Sequence, residues 1–304
     1  MTAAGSANIL DDAAAMARAD SGDMLGHVAE LPSRLAEGWR ISRERELPWE
    51  PPRSVAVLGM GGSAIGAELV KGIWGDRISV PMEVLRGSEL PAWVGPDTLV
   101  IASSKSGTTE ETLRQLEAAL TRRCPVVCVT AGGAMGNVAR AAKLPLATFP
   151  DRGSPRAAVG WSMGVIAGIL ERAGMLALDE AEIDAGVASG TAMVERCASA
   201  IPTTENPAKQ LAWSLVDRFV IVGGAGFLAP VARRWKTQLN ENGKATAVFE
   251  ELPEATHNTV VGFEQPESLR DHLALVLLRS ELDNPRDTLR TQLVGDLAET
   301  GQIW

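Results

Sequence analysis

The chain has 304 residues, 45% apolar and 22% charged, with a formal net charge of −9. That length allows one large or two ordinary domains, and the apolar share is enough to bury a sizeable core. The acidic balance argues against a nucleic-acid backbone or an anionic membrane as the main partner, although local donors can still hold a small anion.

The N-terminus, "MTAAGSANILDDAAAMARAD", has no basic segment followed by an apolar core and does not read as a secretory signal. Residues 1–50 read as helical, with "MLGHVAELPSRLAEGW" apolar at helical spacing. "SVAVLGMGGSAIGAELVKGIW" is a β-branched run, a glycine-rich turn and a helix; "ISVPMEVLRG" is a second strand. "DTLVIASSKSGTTEETLRQLEAAL" and "CPVVCVTAGGAMGNVARAAK" repeat strand, loop and helix, and "LPLATFP" is a further short strand. Strands alternating with helices predict a parallel, doubly wound sheet, and their continuous apolar character predicts burial on both faces.

"DRGSPRAAVG", rich in Gly, Pro and charge, marks a boundary, so domains are expected over 1–152 and 153–304. A long helical stretch follows to about residue 200, and "TTENPAKQLAWSL" starts another helix. "RFVIVGGAGFLAPVARRWKTQLNENGK" is again strand, glycine turn and helix. "ATAVFEELPEATHNTVVGF" predicts a strand, a polar loop and a short strand. The fold class is therefore α/β, with two units that each carry a parallel sheet flanked by helices. The apolar run at 157–170 is too short to span a bilayer, and a cytoplasmic setting is the default. Cys124, Cys128 and Cys197 make no disulfide framework, and none of His27, His257 and His272 stands at metal-ligand spacing to another His or Cys. No metal or cofactor is expected, and His27 and His272 are assigned to surface or packing.

"SSKSGTTEET", residues 103–112, supplies hydroxyls, a glycine and a lysine at the end of a buried strand. At a strand's carboxyl end the next helix points free N–H groups and its positive dipole end into the crevice, which suits a phosphate. Ser104, Ser106 and Thr109 complete such a cradle, with Gly107 allowing close backbone approach. A capping box, Thr108 with Glu111, would account for part of the loop by itself. The second loop, "GMGGSAIG" (59–66), brings Gly62 and Ser63 to the same phosphate. It also fits a weak dinucleotide fingerprint through Gly59, Gly61 and Ala64, with Glu83 near the end of the next strand.

"GMGGSAIG", "SSKSGTTEE", "SPRAAVG", "ENPAKQLAWSL", "RWKTQLNENGKA" and "ELPEATHN" occur in this order. Together they resemble the bifunctional phosphoglucose/phosphomannose isomerases of the sugar isomerase (SIS) superfamily, over roughly residues 50–265. The resemblance implies two SIS domains and a metal-independent aldose–ketose isomerisation through an enediol, linking glucose 6-phosphate or mannose 6-phosphate with fructose 6-phosphate. It places the proton-carrying base on Glu241, which otherwise reads as a solvated helix end. It places ring opening on His257, contributed by the other subunit of a homodimer, and enediolate stabilisation on Arg156.

Three positions depart from the family pattern. Thr259 stands where a glutamate is usual, and Lys105 where small or aromatic residues are common. No lysine follows Lys244 to match the active-site lysine of the family's last helical segment. That last departure favours an alternative, a non-catalytic SIS protein that binds a sugar phosphate as a regulator; a nucleotide-dependent oxidoreductase rests on the glycine fingerprint alone.

Overall fold

The computed structural model describes residues 8–44, 46–48, 51–301 and 303; the helical expectation for residues 1–7, 45, 49 and 50 lies outside them. The chain divides into two compact units, Met1–Pro207 and Ala208–Trp304.

The first unit opens with helices α1 (Ala13–Ala19), α2 (Met24–Ala29) and α3 (Leu31–Ser42). Strands and helices then alternate: β1 (Ser54–Leu58), α4 (Gly61–Trp74), β2 (Met82–Leu85), β3 (Thr98–Ser103), α5 (Glu110–Thr121), β4 (Val126–Thr130), α6 (Gly133–Ala141) and β5 (Leu146–Thr148). Helices α7 (Val159–Arg172) and α8 (Glu180–Arg196) follow. The five strands form one parallel sheet in the order β2-β1-β3-β4-β5. Each coincides with a run read as a strand in the sequence.

Alternate residues of each strand face opposite layers. Val55, Val57, Leu99 and Ile101 join a core built with Trp39, Val165, Ile166 and Ile169, while Ala56, Leu58, Val100 and Ala102 pack with Leu116, Ala119, Met135 and Ala139. This two-sided burial moves the domain boundary. A division at 152/153 assigns α7 and α8 to the second domain, yet Val165, Ile166 and Ile169 of α7 and Ile183 of α8 are buried in the first unit's core. The observed division falls at 207/208 because α7 and Ile183 of α8 complete the first unit's core. Trp161 of α7 sits 2% exposed, stacked on Phe149 at 5.4 Å with the Arg34 guanidinium 4.4 Å over its ring.

Helix α9 (Pro207–Ser214) begins at the division, followed by β6 (Phe219–Ala225), α10 (Ala229–Glu241), β7 (Ala247–Leu252), β8 (Leu273–Leu277) and α11 (Pro285–Thr300). The three strands are parallel in the order β7-β6-β8. The short strand expected at "TVVGF" is instead a 3-10 turn, Thr259–Glu264, whose Val260 and Phe263 pack on Ala225, Leu252 and Ala255. Those apolar residues close the end of the sheet rather than pair with it. The third strand is "LALVL", apolar at every position and paired along β6 from Phe219 opposite Leu273. Among the described residues no helix is long and apolar enough to cross a membrane.

Candidate functional site

Strands β1 and β3 are neighbours, and the order of strands reverses between them. In open parallel sheets the crevice at the carboxyl ends of such a pair is where ligands bind. Both following helices start there, α4 at Gly61 and α5 at Glu110. Their N-caps, Met60 and Thr109, supply no side-chain capping bond. The expected Thr108–Glu111 capping box is not formed, because the helix starts one residue later and Thr109 turns its hydroxyl elsewhere. Two uncapped helix N-termini at one strand-pair edge give backbone donors and positive dipole ends for an anion.

The loop 103–109 is built from its own hydroxyls. Ser104, 2% exposed, accepts from the Gly107 N–H at 3.1 Å, and its Oγ lies 2.9 Å from Thr109 Oγ1. Ser106 Oγ accepts from the Thr108 N–H at 3.2 Å and from the Thr108 hydroxyl at 3.1 Å. Ser63 Oγ accepts from the Lys105 N–H at 3.1 Å, which joins the two loops. Gly107 has φ +67°, and a Cβ there would fall 1.9 Å from the Gly132 carbonyl oxygen, so only glycine fits. The structure thus brings Gly62, Ser63, Ser104, Ser106 and Thr109 into one polar edge.

Arg156 reaches this edge from a third segment. It lies in a 3-10 turn, Pro155–Ala157, where its Nε donates to Ser154 Oγ at 3.3 Å. A Cβ on Gly62 would meet the Pro155 carbonyl oxygen at 2.7 Å and Arg156 Cα at 3.6 Å, so the turn rests on the glycine loop. The Lys105 ammonium donates to the Asp151 carboxylate and, at 2.9 Å, to the Gly153 carbonyl. Sequence reasoning missed this partner, which lies 46 residues away, along with the role of Arg34 behind the turn, where it meets His27, a residue assigned to surface or packing.

In the second unit Glu241 is the last residue of α10 and is exposed. On the same helix Arg234 is pulled down to about 10 by burial, while the Glu241 carboxylate favours its charged form. His257 ends a 3-10 turn, Glu254–His257, and is exposed. That turn packs by Ala255 on Ala225 and Leu252, the carboxyl ends of β6 and β7. Helix α10 joins two parallel strands and so runs antiparallel to both, placing Glu241 where β7 begins and His257 beyond where it ends. Six residues of strand span roughly 20 Å. One unit does not bring these two side chains together.

The dinucleotide reading loses its acid. Glu83 pairs with Ala56 two residues before β2 ends and faces Lys71 at 4.0 Å, away from the crevice. Among the described residues no group of three or more His, Cys, Asp or Glu side chains could hold a metal ion.

Residues 204–303 match the family model for the bacterial phospho-glucose isomerase C-terminal SIS domain. A bifunctional phosphoglucose/phosphomannose isomerase of Caldicellulosiruptor bescii is 32% identical over 277 residues, 90% of this chain and 82% of that relative. The protein of the same description from Aquifex aeolicus is 29% identical, covering 82% of this chain and 74% of its own. Among solved structures, a hypothetical protein from Thermus thermophilus superposes with a TM-score of 0.70 at 20% identity, over 95% of this chain and 79% of that chain.

Proposed function

This chain belongs to the bifunctional phosphoglucose/phosphomannose isomerase family, and we propose from that premise that it interconverts glucose 6-phosphate or mannose 6-phosphate with fructose 6-phosphate. The observation that carries the proposal is the hydroxyl-lined edge between two uncapped helix N-termini at the β1/β3 switch point. A sugar phosphate's dianion suits that edge, held by the Ser63, Ser104, Ser106 and Thr109 hydroxyls and by first-turn N–H groups.

With the phosphate anchored, three groups perform the reaction. His257 moves the ring-oxygen proton so that the sugar opens. The Glu241 carboxylate takes the proton from C2 of the aldose; the C–H electron pair becomes the C1–C2 double bond, and the C1 carbonyl oxygen takes up a proton to become an enediol hydroxyl. Returning the carried proton to C1, while the C2 hydroxyl gives up its own proton in place of the one gained at the C1 oxygen, leaves the carbonyl at C2, so C1 is reduced, C2 is oxidised and no external redox partner is consumed. The Arg156 guanidinium stabilises the negative charge on the intermediate's oxygen. A strand's length between Glu241 and His257 in one unit supports a homodimer in which each site takes its histidine from the other subunit. A charged sugar-phosphate substrate and free thiols at Cys124, Cys128 and Cys197 fit a cytoplasmic setting. Apart from the lysine missing after Lys244, no observation favours the non-catalytic reading.

The test mixes two inactive chains, Glu241→Gln and His257→Ala. Mixed dimers hold one site with both groups intact, so isomerisation of fructose 6-phosphate returns in part. With subunit exchange demonstrated, no return of activity would refute the shared site, and a wild type that exchanges no substrate hydrogen with heavy water would refute the isomerase.

A further inference from the structure

Lys105 carries the charge that the phosphate cradle leaves unused. Its main chain is fixed twice: the N–H donates to Ser63 Oγ at 3.1 Å, and the carbonyl accepts from the Ala131 N–H at 3.1 Å. Its side chain, only 10% exposed, runs away from the loop to Asp151 and the Gly153 carbonyl. Asp151 is 72% exposed, and an ordinary pair with so open a carboxylate would be loose. Here the lysine stem is enclosed and its ammonium is shared with a backbone carbonyl, so the pair joins two segments.

The far segment is fixed from its other side. The Arg34 guanidinium donates to the Ala157 carbonyl at 2.8 Å, and its second nitrogen lies 2.9 Å from His27 Nδ1. The His27 ring sits against Gly153, where a Cβ would fall 2.5 Å from Nε2. Gly62 abuts Pro155 in turn. Residues 151–157 are thus held between α2 and α3 behind and the two phosphate loops in front. Arg156 is the next-to-last residue of that span.

We propose that Lys105 is a positioning residue, a latch between the phosphate loop and segment 151–157 that couples occupancy of the cradle to the placement of Arg156. The proposal rests on the isomerase reading of this site. Phosphate binding draws in the 103–109 backbone, and the Lys105–Asp151–Gly153 link carries that displacement to the turn bearing the guanidinium. The pair is close to neutral, so Lys105 adds little attraction for the dianion; its contribution appears in turnover.

The experiment uses the full chain with Lys105→Met, Lys105→Arg and Asp151→Asn, with fructose 6-phosphate as substrate and inorganic phosphate as a second ligand. Lys105→Met and Asp151→Asn lower kcat by about 10–100-fold through misplacement of a charged group, with ligand affinity changed less than about threefold. Lys105→Arg recovers part of kcat. Hydrogen exchange reads the coupling without turnover: inorganic phosphate slows exchange of amides 156–160 in the wild type and not in Lys105→Met. A fall in affinity as large as the fall in kcat would make Lys105 a direct phosphate ligand and overturn the latch. Unchanged kcat in Asp151→Asn, or equal phosphate protection in wild type and Lys105→Met, would also overturn it. A wild type inactive on sugar phosphates but showing latch-dependent protection would sink the isomerase reading and keep the coupling.

Discussion

The two units treat their polar residues in opposite ways. In the first, Ser104 is 2% exposed, its hydroxyl already satisfied, and Gly107 is wedged against Gly132 so that no other residue fits. In the second, Glu241 and His257 are both exposed and stand at opposite ends of a three-stranded sheet with two small buried clusters. A phosphate is a fixed, strongly hydrated charge, and replacing its water shell needs donors whose positions are set before it arrives. Proton carriers instead need access to reacting carbons, and the two residues proposed for that role are open to solvent at the ends of their sheet. The difference teaches that the candidate anion site is preset in one unit's interior, while the proposed proton carriers lie on the other unit's surface.

Substitutions can break this contrast, beginning with the largest effect. Glu241→Gln keeps size and hydrogen bonding but cannot take a proton, so isomerisation falls by about 10²–10⁴-fold. Deuterium uptake at C1 and C2 from heavy water falls with it, while fructose 6-phosphate still binds; undiminished exchange would move the base elsewhere. Gly107→Ala attacks the other side of the comparison. Left-handed backbone strain of about 1–3 kcal/mol adds to the collision with Gly132, so urea unfolding shifts to lower concentration and inorganic phosphate binding weakens with it. A variant as stable and as tight-binding as wild type would show that the loop is not pre-set.

Ser104→Ala combined with Ser106→Ala sharpens the picture. Each lost hydroxyl weakens fructose 6-phosphate binding by about 0.5–1.5 kcal/mol, read by calorimetry, and an unaltered affinity would put the phosphate at another site. The smallest effect tests burial alone. Cys128, in the middle of β4, has its thiol pushed up to about 12 from 9.0 by burial. Above pH 9 the unfolded thiol gives up its proton and the native one keeps it, so stability declines as pH rises from 9 toward 12. The slope reaches about 1.4 kcal/mol per pH unit, is about half that at pH 9, and fades over the pH unit or two below it. Cys128→Ala should flatten that part of the curve; an identical slope would mean the thiol does not titrate as an isolated buried group.

The first sheet was legible because β1, β3 and β4 are continuous apolar runs ended by glycine or hydroxyl loops, a pattern that few other structures produce. The boundary was not, since α7 is apolar on nearly all sides and reads equally well as the start of a new core. In the second unit "TVVGF" looked like a strand by composition, while its Val260 and Phe263 are apolar only to cap a sheet end. The cradle residues were visible because hydroxyls crowd one loop. The bond from Lys105 to Asp151 was not, since nothing local links a lysine to a carboxylate in another loop. The spatial relation of Glu241 to His257 emerged only with the direction of α10.

The strand's length that separates Glu241 from His257 has a consequence for reaction order. If each site borrows its histidine, a lone chain can bind substrate but cannot open its ring. At dilutions where pairs dissociate, the rate would then grow with the square of protein concentration, and with its first power only once pairs dominate. Sugars supplied already in the open-chain form would escape this dependence, because they no longer require the borrowed group. Expression level would set flux more steeply than in an enzyme complete within one chain.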